Sequence, residues 1–238
     1  MNVISRVPRK PADAGRTFRD TIAVAWSKRV ALFAKLNANA EFVQVRRRFA
    51  GLPVASDRLA LHALVSANLG AAPLDYLEFG VWRGETLRLW TGLNKSMDSR
   101  FFGFDTFEGL PEDWGKVPKG TFSTGGELPS LDDARVRLLA GLFQNTLYSF
   151  LAEYQRRDRI VLHIDCDLYS STLFCLAAMD RFVRHGDVLI FDDFYSLDHE
   201  FEAFLDYAQS FYRVLLPFAS SPYCGQVAFT VGNQVQPT

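Results

Sequence analysis

The stretch Tyr76-Leu77-Glu78-Phe79-Gly80-Val81-Trp82-Arg83-Gly84-Glu85-Thr86 runs from an apolar strand pattern, through a turn bounded by two glycines, into a helical pattern. Gly80 lets the backbone turn tightly and approach a ligand, and Gly84 allows close packing where the helix begins. The first helical turn offers unpaired N–H groups. This is the shape of a cofactor loop at the edge of an α/β sheet. Glu78, at the end of the strand, narrows the ligand. A carboxylate repels a pyrophosphate but attracts a group carrying ammonium and sulfonium charges. The dinucleotide spacing G-x-G-x-x-G is also missing, because Val81-Trp82-Arg83 separate the two glycines, so a nicotinamide-dependent oxidoreductase is disfavoured.

Outward from this turn, the chain alternates short apolar runs with amphipathic stretches, the pattern of strands and helices around a mostly parallel sheet. Strands are expected at Leu74 to Val81, Arg100 to Phe107, Arg135 to Leu139, Arg159 to Asp165, Asp187 to Phe191, Tyr212 to Pro217 and Gln226 to Val231. Helices are expected at Glu85 to Leu93, Asn145 to Arg156, Ser171 to Arg184 and His199 to Ser210. Only the turn Ser220 to Gly225 separates the last two strands, which predicts an antiparallel hairpin. The fold class is therefore α/β: a doubly wound seven-stranded sheet with one antiparallel strand at its C-terminal end. Before it, residues 1–72 read as a polar arm followed by helices over Phe18 to Leu36 and Ser56 to Leu69, part of the same domain and suited to cover a substrate or contact a second copy of the chain. Residues 73–238 form the cofactor-binding unit. The Gly/Pro-rich run from Glu108 to Ser130, with Trp114 inside it, is too long for an ordinary connection and reads as a lid.

The chain has 238 residues, of which 48% are hydrophobic, enough to bury one core. Its net charge of -1 gives no pull toward nucleic acid or an anionic membrane surface. The apolar stretch Thr21 to Trp26 is too short for a secretion signal, and no run reaches the length of a membrane span. Cys166, Cys175 and Cys224 are too few for a disulfide framework, so reduced thiols and a cytoplasmic location are expected. The 21 phenylalanines read as core filling, whereas Trp82 and Trp114 lie on segments facing the expected site.

Two further motifs carry chemistry. Phe101-Phe102-Gly103-Phe104-Asp105-Thr106-Phe107-Glu108-Gly109-Leu110-Pro111 closes the next strand on an acid. An acid roughly 20 residues after a glycine turn is where a βαβ unit binds ribose hydroxyls, so Asp105 points to a nucleoside-containing cofactor. The runs His163-Ile164-Asp165-Cys166-Asp167-Leu168-Tyr169-Ser170-Ser171-Thr172 and Gly186-Asp187-Val188-Leu189-Ile190-Phe191-Asp192-Asp193-Phe194 each end an apolar strand on carboxylates. Neighbouring strands deliver such ends to one crevice, and three carboxylates there repel unless neutralised. All-oxygen ligation by Asp165, Asp192 and Asp193 suits Mg²⁺ or a similar hard cation. Helix capping by Asp167 or Ser170, with the Asp pair in solvent, is the alternative reading. His199, at the start of the following helix, is a candidate for proton removal, although such a histidine also suits a solvent-facing cap.

Together, Leu77 to Gly84, Phe104 to Pro111, His163 to Thr172 and Phe191-Asp192-Asp193 resemble the macrocin O-methyltransferase family. The resemblance implies a class I methyltransferase fold, S-adenosylmethionine, Mg²⁺ and a hydroxylated small-molecule acceptor, a sugar or glycosylated natural product. By position it implies Glu78, Gly80, Gly84 and Asp105 as cofactor-binding residues and Asp165, Asp192 and Asp193 as metal ligands, with Asp165 and His199 as catalytic candidates. The segment from Thr121 to Phe143 departs from the family pattern. Two rivals differ in class: a metal-dependent glycosyltransferase using Asp165-Cys166-Asp167, and a non-catalytic nucleoside-binding module.

Overall fold

The computed structural model describes residues 30–234 of the chain. The chain divides into two compact units, Met1–Val43 and Gln44–Thr238. The basic arm and most of the helix expected over Phe18 to Leu36 lie outside the described residues; residues 30–38 are helical. Asn39 then accepts the N–H of Phe42 through Oδ1 at 2.7 Å and starts helix α1 (Ala40–Arg47), as a short amide side chain at a helix start should.

Helix α2 (Arg58–Leu69) is capped by Asp57, whose carboxylate accepts the Ala60 N–H at 2.9 Å. Its buried residues Leu61 and Val65 pack into the same core as Leu74, Tyr76 and Trp90. The sheet-bearing unit thus includes α2 and begins ahead of residue 73. Seven strands form one sheet: β1 (Leu74–Phe79), β2 (Arg100–Asp105), β3 (Val136–Ala140), β4 (Arg159–Ile164), β5 (Val188–Phe191), β6 (Leu215–Ser220) and β7 (Val227–Val231). The order across the sheet is β3-β2-β1-β4-β5-β7-β6. Between them lie α3 (Glu85–Leu93), α4 (Phe143–Glu153), α5 (Tyr169–Met179) and α6 (Glu200–Ser210).

Strands β1 and β5 are buried along their whole length and β4 along nearly all of it, as expected for near-continuous apolar runs covered on both faces. Strand β7 runs antiparallel to both β5 and β6 and is the one reversed strand. It forms the expected hairpin with β6, but inserts between β5 and β6 so that β6 holds the edge. Strand β6 also starts later than Tyr212 and runs on to Ser220, which pairs with Pro53 to Ala55: its N–H reaches Pro53 O at 3.1 Å, and its carbonyl accepts the Ala55 N–H at 2.8 Å. Phenylalanine fills the core as its abundance suggested, with Phe194, Phe204 and Phe229 in mutual ring contact at centroid distances of 5.0, 5.6 and 4.9 Å. The three cysteines are free and buried, and no helix among the described residues is long and apolar enough to cross a membrane.

Order reverses between β2 and β3 on one side and β4 and β5 on the other, so the crevice of this sheet opens at the C-terminal ends of β1 and β4. At the opposite end, two buried carboxylates are fully compensated. Asp75 receives Arg100 Nε at 2.7 Å and the Tyr154 hydroxyl at 2.7 Å. Asp187 receives Arg156 at 2.8 Å, the Ile160 N–H at 2.9 Å and the Arg184 N–H at 2.7 Å. Removing Asp187 strands a half-buried guanidinium and two amides, so Asp187→Ala should lower unfolding free energy by about 3–5 kcal/mol in urea titration. A loss within experimental error would show that the ion pair contributes nothing to the fold.

Candidate active site

The crevice holds a cavity of about 580 Å³. Its lining brings the glycine turn and the acidic loops together: Gly80 and Asp105 with Asp165, Asp167, Asp192 and Asp193. Gly80 N–H bonds to Phe104 O at 2.9 Å, and Asp165 N–H to Phe79 O at 2.9 Å, so the turn is pinned between β2 and β4. Gly80 adopts φ +94°, and a Cβ there would overlap the Asp165 carbonyl oxygen. Gly84, also left-handed at φ 71°, sits at the N-cap of α3.

Asp105 holds this turn directly. Its Oδ2 accepts the N–H groups of Val81 and Trp82 at 2.8 and 2.7 Å, and its Oδ1 accepts that of Phe107 at 2.7 Å. Glu78 lies fully buried behind the turn, outside the residues that line the cavity. Thr86 donates to its Oε1 and Tyr76 to its Oε2, both at 2.7 Å. Because Tyr76 gives its proton to Glu78, the 3.1 Å contact between Tyr76 and His163 Nδ1 has the histidine as donor.

The acidic residues fall into two sets. Asp165, Asp167 and Asp193 offer carboxylate oxygens within 4.8 Å of one another. Among the described residues, Asp167 and Asp193 have no basic partner, and Asp165 has only Arg58, whose Nη1 is 3.5 Å away. Burial, then the charges of Asp192, Asp167 and Asp193, push the Asp165 carboxyl well above the usual range. Burial and the adjoining Asp193 push Asp167 up to about 8, and burial also raises Asp193. A donor set of clustered, poorly compensated oxygens fits a hard divalent cation.

Asp192 faces elsewhere. Its Oδ2 accepts Arg58 Nη1 at 3.1 Å, and its buried, unpartnered Oδ1 lies 3.9 Å from His163 Nε2. Burial would raise this carboxyl, but His163 and Arg58 outweigh it and hold it below the ordinary value. Arg58 therefore bridges Asp192, Asp165 and, at 2.6 Å through Nη2, Glu85. Sequence reasoning did not single out Arg58 or group Asp167 with the cluster. The available signal was a lone arginine at the start of the otherwise apolar helix Arg58–Leu69.

The Glu108 to Ser130 run folds over the cavity, contributing Gly109, Leu110, Pro111, Glu112, Trp114 and Phe122 to its wall. Ser170 donates to Glu112 at 2.6 Å, and Trp114 Nε1 to Ser196 Oγ at 3.3 Å, so this segment is tied to the first turn of α5 and to the loop after β5. Trp82 also lines the cavity, its ring against Phe122 and under the Arg83 guanidinium. Trp82, Phe122 and Asp167 all adopt left-handed backbone, so strain gathers at the cavity wall. His199 instead sits at the N-cap position of α6, without a capping hydrogen bond from its side chain, and packs edge-on against Trp114 at 6.5 Å, outside the cavity lining.

The model of the Macrocin-O-methyltransferase (TylF) family matches residues 116–211, less than half of the chain but including both acidic loops. Comparison with curated proteins by sequence finds no match. Among solved structures, the O-methyltransferase NovP is 23% identical with a TM-score of 0.57, over 74% of this chain and 80% of that one. The calicheamicin methyltransferase CalS11 is 19% identical with a TM-score of 0.58, over 96% and 100%. An apo form of CalS11, described as a TDP-rhamnose 3'-O-methyltransferase, is 20% identical with a TM-score of 0.51, over 92% and 97%. The fold is thus the class I methyltransferase fold with its reversed C-terminal strand. Family match and fold point the same way, to an O-methyltransferase.

Because Gly80 admits no side chain, Gly80→Ala should sharply lower the thermal midpoint or yield no folded protein. Gly92, within α3 and with open space where a Cβ would sit, is the control: Gly92→Ala should stabilise by about 0.5–1 kcal/mol through helix propensity. Equal midpoints for the two variants would mean that the turn can move away from Asp165.

Proposed function

We propose that this chain is an S-adenosylmethionine-dependent O-methyltransferase acting on a hydroxyl of a small acceptor, a sugar or glycosylated natural product, with Mg²⁺ held at the acidic loops. The observation that carries this reading is that one cavity is lined both by an amide-bound glycine turn and by a poorly compensated carboxylate group. The matching family model is that of macrocin O-methyltransferase and the CalS11 structure is described as a TDP-rhamnose 3'-O-methyltransferase, and these resemblances support the same class here.

When bound, the cofactor supplies an electrophilic methyl carbon, and a divalent cation lowers the pKa of the acceptor hydroxyl. The chain's own residues do the rest. Asp105 fixes the amides of Val81 and Trp82 so that the turn presents a constant surface to the nucleoside, and Gly80 keeps that surface free of side chains. Asp165, Asp167 and Asp193 would hold the cation, with Asp192 kept ionised beside them by Arg58 and His163. Asp165 or Asp167, each lining the cavity and ionised once a cation is bound, would take the hydroxyl proton. Trp82, Trp114 and Phe122 exclude water and orient the acceptor, which is what an in-line displacement demands.

Transfer of labelled methyl from S-adenosylmethionine to nucleotide sugars or glycosylated acceptors should be detectable, abolished by chelator and restored by Mg²⁺. Unchanged turnover in chelator would remove the cation from the mechanism. Asp193→Asn should cost orders of magnitude in rate while cofactor affinity changes little. Asp105→Ala should do the reverse, weakening cofactor binding by about 1–3 kcal/mol in calorimetry. An unaltered affinity for Asp105→Ala would reject its assignment.

A further inference from the structure

Glu200 is the first residue of α6, where an acid ordinarily sits in solvent and interacts with the helix dipole. Here its side chain is fully buried, beneath the acidic loops. Oε1 accepts the N–H of Cys166 at 3.2 Å, and Oε2 accepts the N–H of Asp193 at 2.9 Å. Those amides belong to two different loops, one leaving β4 and carrying Asp165 and Asp167, the other leaving β5 and carrying Asp192 and Asp193. The last backbone bond between the neighbouring strands is Asp192 N–H to Ile164 O at 2.9 Å. Beyond it, among the described residues, Glu200 is the one side chain that accepts hydrogen bonds from both loops.

We propose that Glu200 is a positioning residue, whose two carboxylate oxygens fix the separation of the acidic loops and thereby set the affinity of Asp165, Asp167 and Asp193 for a divalent cation. The inference rests on the reading that those three residues hold the cation. A carboxylate is the group the geometry requires. Two amide donors need two acceptor oxygens at a fixed spacing, and a glutamine would turn an NH₂ toward one of them. For folding alone, a fourth carboxylate placed under three others is a poor choice, because like charges in a buried site repel. Around the site it has a use, since groups that orient ligands from behind commonly control metal affinity 10- to 100-fold. The ring contacts of Phe201 with Phe194 at 5.3 Å and of Phe194 with Phe204 at 5.0 Å lock the start of α6 in place, so the clamp is held rigidly.

The test uses the full chain and Mn²⁺ as probe, with affinity read by electron paramagnetic resonance. Wild type should bind Mn²⁺, and Glu200→Gln should bind it about tenfold or more weakly, while its circular dichroism and S-adenosylmethionine affinity stay at wild-type values. Glu200→Asp, which keeps the charge but shortens the reach, should also weaken Mn²⁺ binding. A Glu200→Gln protein with wild-type Mn²⁺ affinity overturns the clamp but leaves the cation site standing. Absence of Mn²⁺ binding by wild type overturns the cation site, and the clamp with it. Hydrogen exchange on wild type needs no variant to fold: the amides of Cys166 and Asp193, although beyond the strand ends, should be protected, and rapid exchange of either overturns the proposal.

Discussion

The dominant constraint on this molecule is the mutual repulsion of carboxylates gathered where β4 and β5 end. Asp165, Asp167, Asp192, Asp193 and Glu200 crowd one end of the sheet, and the chain answers each differently. Asp192 is given cationic partners in Arg58 and His163; Glu200 is given backbone amides. Asp165, Asp167 and Asp193 keep most of their deficit, and burial and one another's charge raise their affinity for positive charge, whether a proton or a metal. The contrast with the other end of the sheet is instructive. Asp75 and Asp187 are also buried, yet each has an arginine and further donors, so nothing is left for a ligand to satisfy.

The glycine turn obeys a steric constraint. Gly80 lies against the Asp165 main chain, so the glycine turn and the first acidic loop are in direct contact across neighbouring strands. Asp105 then binds the turn's amides from the other side, through β2. Three strands thus meet at the switch point, where the glycine turn and the first acidic loop share a backbone floor.

Much of this was legible in the sequence, for identifiable reasons. Apolar runs buried on both faces announce central strands, so β1, β2, β4, β5 and β7 were found within one or two residues, and α3 with both its ends. Strand β6 was placed too early because its limit depends on pairing with Pro53 to Ala55, a contact distant in sequence. At the site, strand-end acids were readable because topology alone brings them together. Their division into sets was not. It depends on Arg58, delivered by a helix far along the chain from Asp192, and on a left-handed Asp167 that no local pattern specifies. Asp105 was readable as a functional acid, but its bonds to Val81, Trp82 and Phe107 depend on the fold of the turn it holds. His199 and Glu200 are adjacent, and the sequence favoured the histidine for its chemistry; the helix instead turns Glu200 inward and sets the histidine against Trp114.

The position of β7 has a consequence for how the site comes into being. Strand β5 carries Asp192 and Asp193 at its end, and its outer edge pairs with β7, not with β6. A chain emerging from the ribosome has already exposed β6 when that edge is still open, and β6 cannot close it. Until residues 227–231 are made, the strand bearing two of the acids offers unpaired amides to any passing strand, and its loop lacks the far wall that would hold it still. Assembly of the acidic end therefore waits on a segment made after β6, so that a chain lacking residues 227–231 can collect the earlier strands and still leave the edge of β5 open.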